Sequence, residues 1–266
     1  MIDLSKSYSD PEIIFHYTSL ETLVNFILPE EKLKFRKRIE QEDYFERTYL
    51  SPVWYLNHDQ ADSQTLESVD IKTRNRFKNV SQISFCKSGY SDSMKWEPNK
   101  SYDGYGFLKH RMWDNYGNRN KGVCLAFNRK KIVDKLSELN VENYWFRDVD
   151  YKKNDEIEKI IKPRSTQKLT DSEINTAHED YLKYLLFLKN IDFRDENEFR
   201  ICVESEEKNT FLPIQGVLKA VFFSEMRKEN ILKSERILFQ NTLKESKEKD
   251  FEVYVINPFS SQIQIY

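Results

Sequence analysis

The densest chemistry in the chain lies between Phe193 and Val203, which reads Phe-Arg-Asp-Glu-Asn-Glu-Phe-Arg-Ile-Cys-Val. Phe199, Ile201 and Val203 alternate with Glu196, Glu198, Arg200 and Cys202. Side chains of a strand point to its two faces in turn. The apolar set can therefore enter a core while Glu196, Glu198 and Arg200 line up on the opposite face. That row has two readings. One is an edge strand with a solvated, ion-paired outer face. The other is a catalytic carboxylate held in position by neighbouring charges. Asp195, Glu196 and Glu198 also offer oxygens for Mg²⁺, with Lys189 assisting. Hard cations usually want more oxygens than that, and no further acid stands at a matching position.

Other residues carry weaker signals. His16 sits on an apolar strand, where a histidine serves as a core residue or as a ligand contact. Trp113 and Tyr116 stand at helical spacing and can face a core or a pocket. Tyr102 to Gly106 is glycine-rich but is no phosphate fingerprint. Two basic segments, 32–38 and 72–78, are interleaved with aromatics. They read as solvated faces or as nucleic-acid contacts. None of the four histidines has metal-ligand spacing to another His or Cys, so no zinc site is expected.

The elements that must position these residues alternate between helix and strand. Strands are expected at Glu12–Tyr17, around Leu33 and Phe35, at Ser81–Cys86, Lys121–Phe127 and Tyr144–Tyr151, through the Glu-x-Glu segment, and at Val217–Phe223, Phe251–Ile256 and Gln262–Tyr266. Helices are expected after a Thr18–Glu21 capping box up to Pro29, and over Phe107–Tyr116 and Lys130–Leu139. Two more follow, one from Thr170 to about Lys189 behind a Thr170/Glu173 capping box, the other over Lys228–Leu243. Residues 39–78 show no clear pattern, and Glu156–Ser165 reads as a charged connector. No stretch resembles a domain linker. The expectation is one α+β domain over residues 1–266, with a mixed, mostly antiparallel sheet and flanking helices.

Composition narrows the classes. The chain has 266 residues, enough for one elaborated domain, and its 18 Phe and 15 Tyr can fill a substantial core. A net charge of -2 argues against a general polyanion binder, while leaving local clusters open. The polar N-terminus lacks a signal-peptide core, and no apolar run has membrane-spanning length. Cys86, Cys124 and Cys202 are far apart in apolar runs and read as reduced core residues. A cytoplasmic protein without a membrane partner is expected.

Five short blocks occur in order from about Phe15 to Val221: Phe15-His16-Tyr17-Thr18-Ser19-Leu20; Ile83–Cys86 with Met112–Tyr116 and Lys121–Phe127; Asp148–Tyr151; Lys189, Phe193, Glu196, Glu198 and Arg200; and Leu218–Val221. Their order resembles a large bacterial family catalogued as a domain of unknown function, some of whose members look like abortive-infection proteins that defend against phage. The chain departs from that family at Asn57–Asp62, where the usual Asn-Asp-Pro-x-Glu segment lacks its Pro and Glu.

More distantly, the plan resembles that of ADP-ribosyltransferases, which implies NAD as substrate. In that resemblance His16 would hold the NAD ribose, and Tyr17 and Thr18 beside it would belong to the same cofactor site. Tyr17, Trp113 or Tyr116 would cover the cationic nicotinamide. Glu198 would stabilise the cationic sugar, and Glu196 would orient the nucleophile. Arg200 or Lys189 would neutralise the phosphates. Bond cleavage develops positive charge on the ribose, as in glycoside hydrolysis, and a fixed carboxylate stabilises it.

Three functions remain open. The first is an NAD-dependent ADP-ribosyltransferase acting as a toxin or phage-defence effector. It would modify a macromolecule, nucleic acid ahead of protein, and have an antitoxin or defence-system partner. The second is a metal-dependent nuclease. The third is a non-catalytic sensor.

Overall fold

The apolar runs pair into one large sheet in the computed structural model, which describes residues 8–41, 44–49, 63–89, 104–161, 170–224, 233–257 and 263–265. The strands are β1 (Ile13–Thr18), β2 (Lys32–Lys34), β3 (Arg36–Lys37), β4 (Val80–Lys87), β5 (Val123–Asn128), β6 (Asn143–Asp148), β7 (Asp150–Lys152), β8 (Leu188–Asn190), β9 (Glu198–Glu204), β10 (Phe211–Pro213), β11 (Leu218–Ser224), β12 (Glu252–Ile256) and β13 (Ile263–Ile265). The main sheet runs β13-β12-β11-β5-β1-β4-β9-β6, with β3 also on β4. Its pairings are antiparallel except β11 with β12. β2 pairs with β10, and β7 with β8, as separate small sheets. The fold is α+β with a mostly antiparallel open sheet, as the alternation implied.

Period-two alternation decides what each face buries. Ile14, Ile83, Phe85, Leu125, Phe127, Phe199 and Ile201 enter one core. Their neighbours Phe15, Tyr17, Cys86, Cys124, Ala126 and Phe222 enter a second core across the sheet. β9 lies between β4 and β6 and every residue of it is buried, so the edge-strand reading does not hold.

Several helices differ from expectation. The first is capped by Ser19, not Thr18, because the Ser19 hydroxyl accepts from the Thr22 amide. It continues as a π-helical stretch, Leu23–Ile27, and a last turn, Leu28–Glu30, that contains Pro29. The Thr170/Glu173 capping box forms, but its helix, Asp171–Leu186, ends early and leaves Lys189 on β8. Residues Asn154–Ile161 are helical where a connector was expected, and Ser63–Asn79 is a helix within the patternless stretch. The Asn57–Asp62 segment and most of the Lys87–Tyr105 loop lie outside the described residues.

One irregularity makes room for a site. β1 and β4 pair only at Ile14 with Lys87 and Phe15 with Cys86. Farther along, the same edge of β4 is taken by β3, at Gln82 with Arg36 and Ser81 with Lys37. The sheet is therefore split beside Ile83–Phe85. There the His16 ring, not a backbone amide, reaches the Ser84 carbonyl, with Nδ1 at 3.0 Å.

Candidate active site

A cavity of about 820 Å³ occupies the split, within the size range of small-molecule sites. Its floor contains Glu46, Lys189, Glu196 and Glu198, and its walls include His16, Thr18, Gln82, Ser84 and Tyr116. Its rim carries Phe26, Glu30, Lys32, Lys34, Arg36 and Phe211.

β9 places Glu198 and Arg200 on the face opposite Phe199 and Ile201. Arg200 is fully buried. Its Nε donates to Glu198 Oε1 at 2.7 Å and its Nη2 to Oε2 at 3.0 Å, a bidentate pair. Its remaining donors reach the Leu186 carbonyl at 2.7 Å and Glu46 at 2.5 Å. Lys189 joins the three acids, with Nζ at 2.7 Å from Glu196, 3.3 Å from Glu46 and 3.4 Å from Glu198. Behind them lies buried Arg38, which donates to Gln82 and to the carbonyls of Leu185 and Leu186.

Glu196 reaches this cluster by another route than expected. It ends a 3₁₀ turn, Ile191–Glu196, and is not part of β9. Asn197 follows at φ 46, in the left-handed region that Asn tolerates. Lys109 holds the turn from outside, donating to the Asp195 carbonyl at 2.7 Å. The kink returns the Glu196 carboxylate to Lys189 and to the Tyr116 hydroxyl, which donates to Oε1 at 3.2 Å.

The two carboxyls titrate in opposite directions. Burial pushes the Glu196 carboxyl up, and Lys189 only partly opposes it. Burial also works to raise Glu198, but Arg200 and Lys189 prevail and hold it down at about 2. Glu46 follows Glu198, because Arg200 and Lys189 outweigh its burial. Burial lowers His16, so its ring is neutral. The Ser84 carbonyl only accepts, which assigns the proton to Nδ1 and leaves Nε2 with a lone pair.

The cavity gathers His16, Tyr17, Thr18, Tyr116, Lys189, Glu196 and Glu198 of the expected residues. The Tyr17 ring nevertheless packs edge-to-face on Trp113, with ring centres 5.2 Å apart. Trp113 is fully buried in the second core, its Nε1 bonded to the Phe107 carbonyl, and does not line the cavity. Arg200 stands behind Glu198, outside the lining. Asp195 turns away to pair with Arg111 at 3.0 Å, so Asp195, Glu196 and Glu198 do not converge as a metal-binding trio. The basic segments divide. In the first, Lys32, Lys34 and Arg36 line the rim while Arg38 is buried. In the second, Arg76 is paired with Glu204 and Glu179, Arg74 with Asp70, and Phe77 is buried.

Glu46, Arg38 and Ser84 were not foreseen. Glu46 lies in a short helix, Tyr44–Arg47, within a stretch without periodicity. Arg38 ends a run of exposed-looking cations. Neither has a local signal, because each is buried by contacts from distant segments.

Residues 112–201 match the family described as Protein of unknown function (DUF2971). The match agrees with the resemblance to a domain-of-unknown-function family. It spans Tyr116, Lys189, Glu196, Glu198 and Arg200, and leaves out His16 and Glu46. No curated protein matches the chain, and no solved structure does.

Proposed function

We propose that this chain is an NAD-dependent ADP-ribosyltransferase acting as a toxin or phage-defence effector. The observation that carries the chemistry is the pair Glu196 and Glu198, convergent in one cavity and driven apart in titration. Such a separation divides acid-base and fixed-charge roles between two carboxyls.

The residues that line the floor are three acids and one lysine, with the arginines behind them. That surface favours a cationic group, and nicotinamide riboside is cationic. When its C1′–N bond breaks, the electron pair leaves with nicotinamide and the positive charge moves to the ribose. Glu198, ionised throughout, faces that charge from a fixed position. Glu196, with its raised pKa, is the stronger base and takes the proton of the hydroxyl or amine that attacks C1′. Tyr116, half-exposed and bonded to Glu196, is the aromatic best placed to cover the nicotinamide. The neutral His16 offers Nε2 to a ribose hydroxyl. The acceptor is a macromolecule. The support that the 72–78 segment lent to nucleic acid is weakened by its ion pairs, so both acceptor classes are to be assayed.

One observation favours the non-catalytic alternative. Both Glu198 oxygens are already bonded to Arg200, as in a purely structural ion pair. The deciding experiment incubates the protein with NAD and measures released nicotinamide, with labelled NAD plus RNA or cell extract to find the acceptor. Nicotinamide release that disappears in E196Q supports the transferase. No release under any acceptor condition overturns it.

A further inference from the structure

The floor cannot hold the ligand's phosphates. Lys189 and Arg200 are each bonded to two or three carboxylates. A phosphate placed there would have to break these buried pairs and leave carboxylates without their cations. The rim differs. Lys32, Lys34 and Arg36 follow one another at alternate positions, with Leu33 and Phe35 buried between them. Alternate residues of an extended chain stand about 7 Å apart on one side. These three cations therefore form an exposed row along the cavity mouth. Glu30 shares the rim, which leaves it at +2 against three acids and one lysine below.

Exposed aromatics collect at the same place. Phe26 is 58% exposed, on the π-helical stretch, and Phe211 is 37% exposed, on β10. Phe211 is the register partner of Lys34, so ring and cation are neighbours. An exposed aromatic ring beside a cation suits a base followed by phosphate.

We infer that the rim is a nucleoside-diphosphate subsite, in which Lys32, Lys34 and Arg36 take the two phosphates and Phe26 and Phe211 take the base. This rests on the transferase reading for its second half, the ribose that reaches Glu196 and Glu198. The concavity favours the diphosphate half of a small dinucleotide over a nucleic-acid strand, which would need an open groove. The phosphate role first given to Arg200 and Lys189 passes to the rim.

The test is calorimetric titration of the full chain with ADP and with adenosine at low salt. ADP is expected to bind at least tenfold more tightly than adenosine. K32Q/K34Q should weaken ADP at least tenfold and leave adenosine unchanged, whereas F211A should weaken both. All three side chains are on the surface, so melting temperatures should match the parent. ADP affinity unchanged in K32Q/K34Q, or no ADP binding to the parent at millimolar concentration, overturns the subsite. So does a single-stranded oligonucleotide that displaces ADP at lower concentration than ADP displaces itself. Cleavage by the unsubstituted protein separates the two ideas. ADP binding without any NAD cleavage leaves the rim standing and removes the transferase. NAD cleavage with an unchanged KM in K32Q/K34Q does the reverse.

Discussion

At the residue scale, Glu196 and Glu198 look alike in sequence and differ in what their removal costs. Glu198 balances Arg200, which has no exposure to water. Glu198→Gln leaves a buried guanidinium short of charge, and breaking such a pair costs about 3–5 kcal/mol. The variant should therefore lose both NAD turnover and stability. A preserved melt would have followed from a surface row, and burial removes that expectation. Glu196 shares Lys189 with two other acids, so the lysine keeps its partners when Glu196→Gln is made. E196Q should lose turnover by about a hundredfold or more while its denaturation midpoint moves little. Denaturant titrations and nicotinamide release on both variants check this. An E198Q protein as stable as the parent would show that Arg200 does not depend on Glu198.

At the element scale, the cavity exists because β1 and β4 separate and because the end of β1 is held in place. Gly122 does part of the holding. A Cβ there would stand 2.3 Å from the Thr18 carbonyl oxygen and 2.7 Å from the backbone of Gly117. Both obstacles are backbone, so neither can swing aside. Gly122→Ala should push Thr18, a cavity wall residue, and cost about 1–3 kcal/mol as an overpacked contact. The expected result is a lower melting temperature together with weaker ADP or NAD binding. An unchanged melt with unchanged binding would show that the turn relaxes freely. The 3₁₀ turn before β9 works in the same way, since only its kink lets Glu196 meet Lys189.

For the whole molecule, the buried charges set how stability depends on pH. Glu198 is held below its ordinary 4.5, at about 2, and Glu46 is lowered too. Groups with depressed pKa values stabilise the fold above their unfolded values and lose that contribution as pH falls. His16 and His178 are lowered from 6.5 by burial, so acid must charge them against the fold. Glu196 acts with the opposite sign, because its raised pKa adds stability only at lower pH. Denaturation free energy should therefore fall in two stages, first below about pH 6.5 and then, more steeply, from 4.5 towards 2. Guanidinium titrations between pH 7 and pH 3 test the first stage and the onset of the second. A flat profile over that range would contradict the buried network. No described helix is long and apolar enough to cross a membrane.

What the sequence determined by itself was periodic. The alternation in β9 separated Phe199 and Ile201 from Glu198 and Arg200, and the apolar runs at β1, β4, β5 and β11 announced the sheet. Thr170 and Glu173 announced their capped helix. Each of these is a local signal, written in spacings of two to four residues. The tertiary structure alone decided that the charged face of β9 is buried, because burial comes from elements far away in the chain. It also decided that Glu46 and Arg38 join the cluster, that Trp113 turns into a core, and that the sheet splits. A charged row reads the same whether water or another element covers it. Only the packing of β8, the Tyr44–Arg47 helix and the 3₁₀ turn over that row turned a surface pattern into a candidate site.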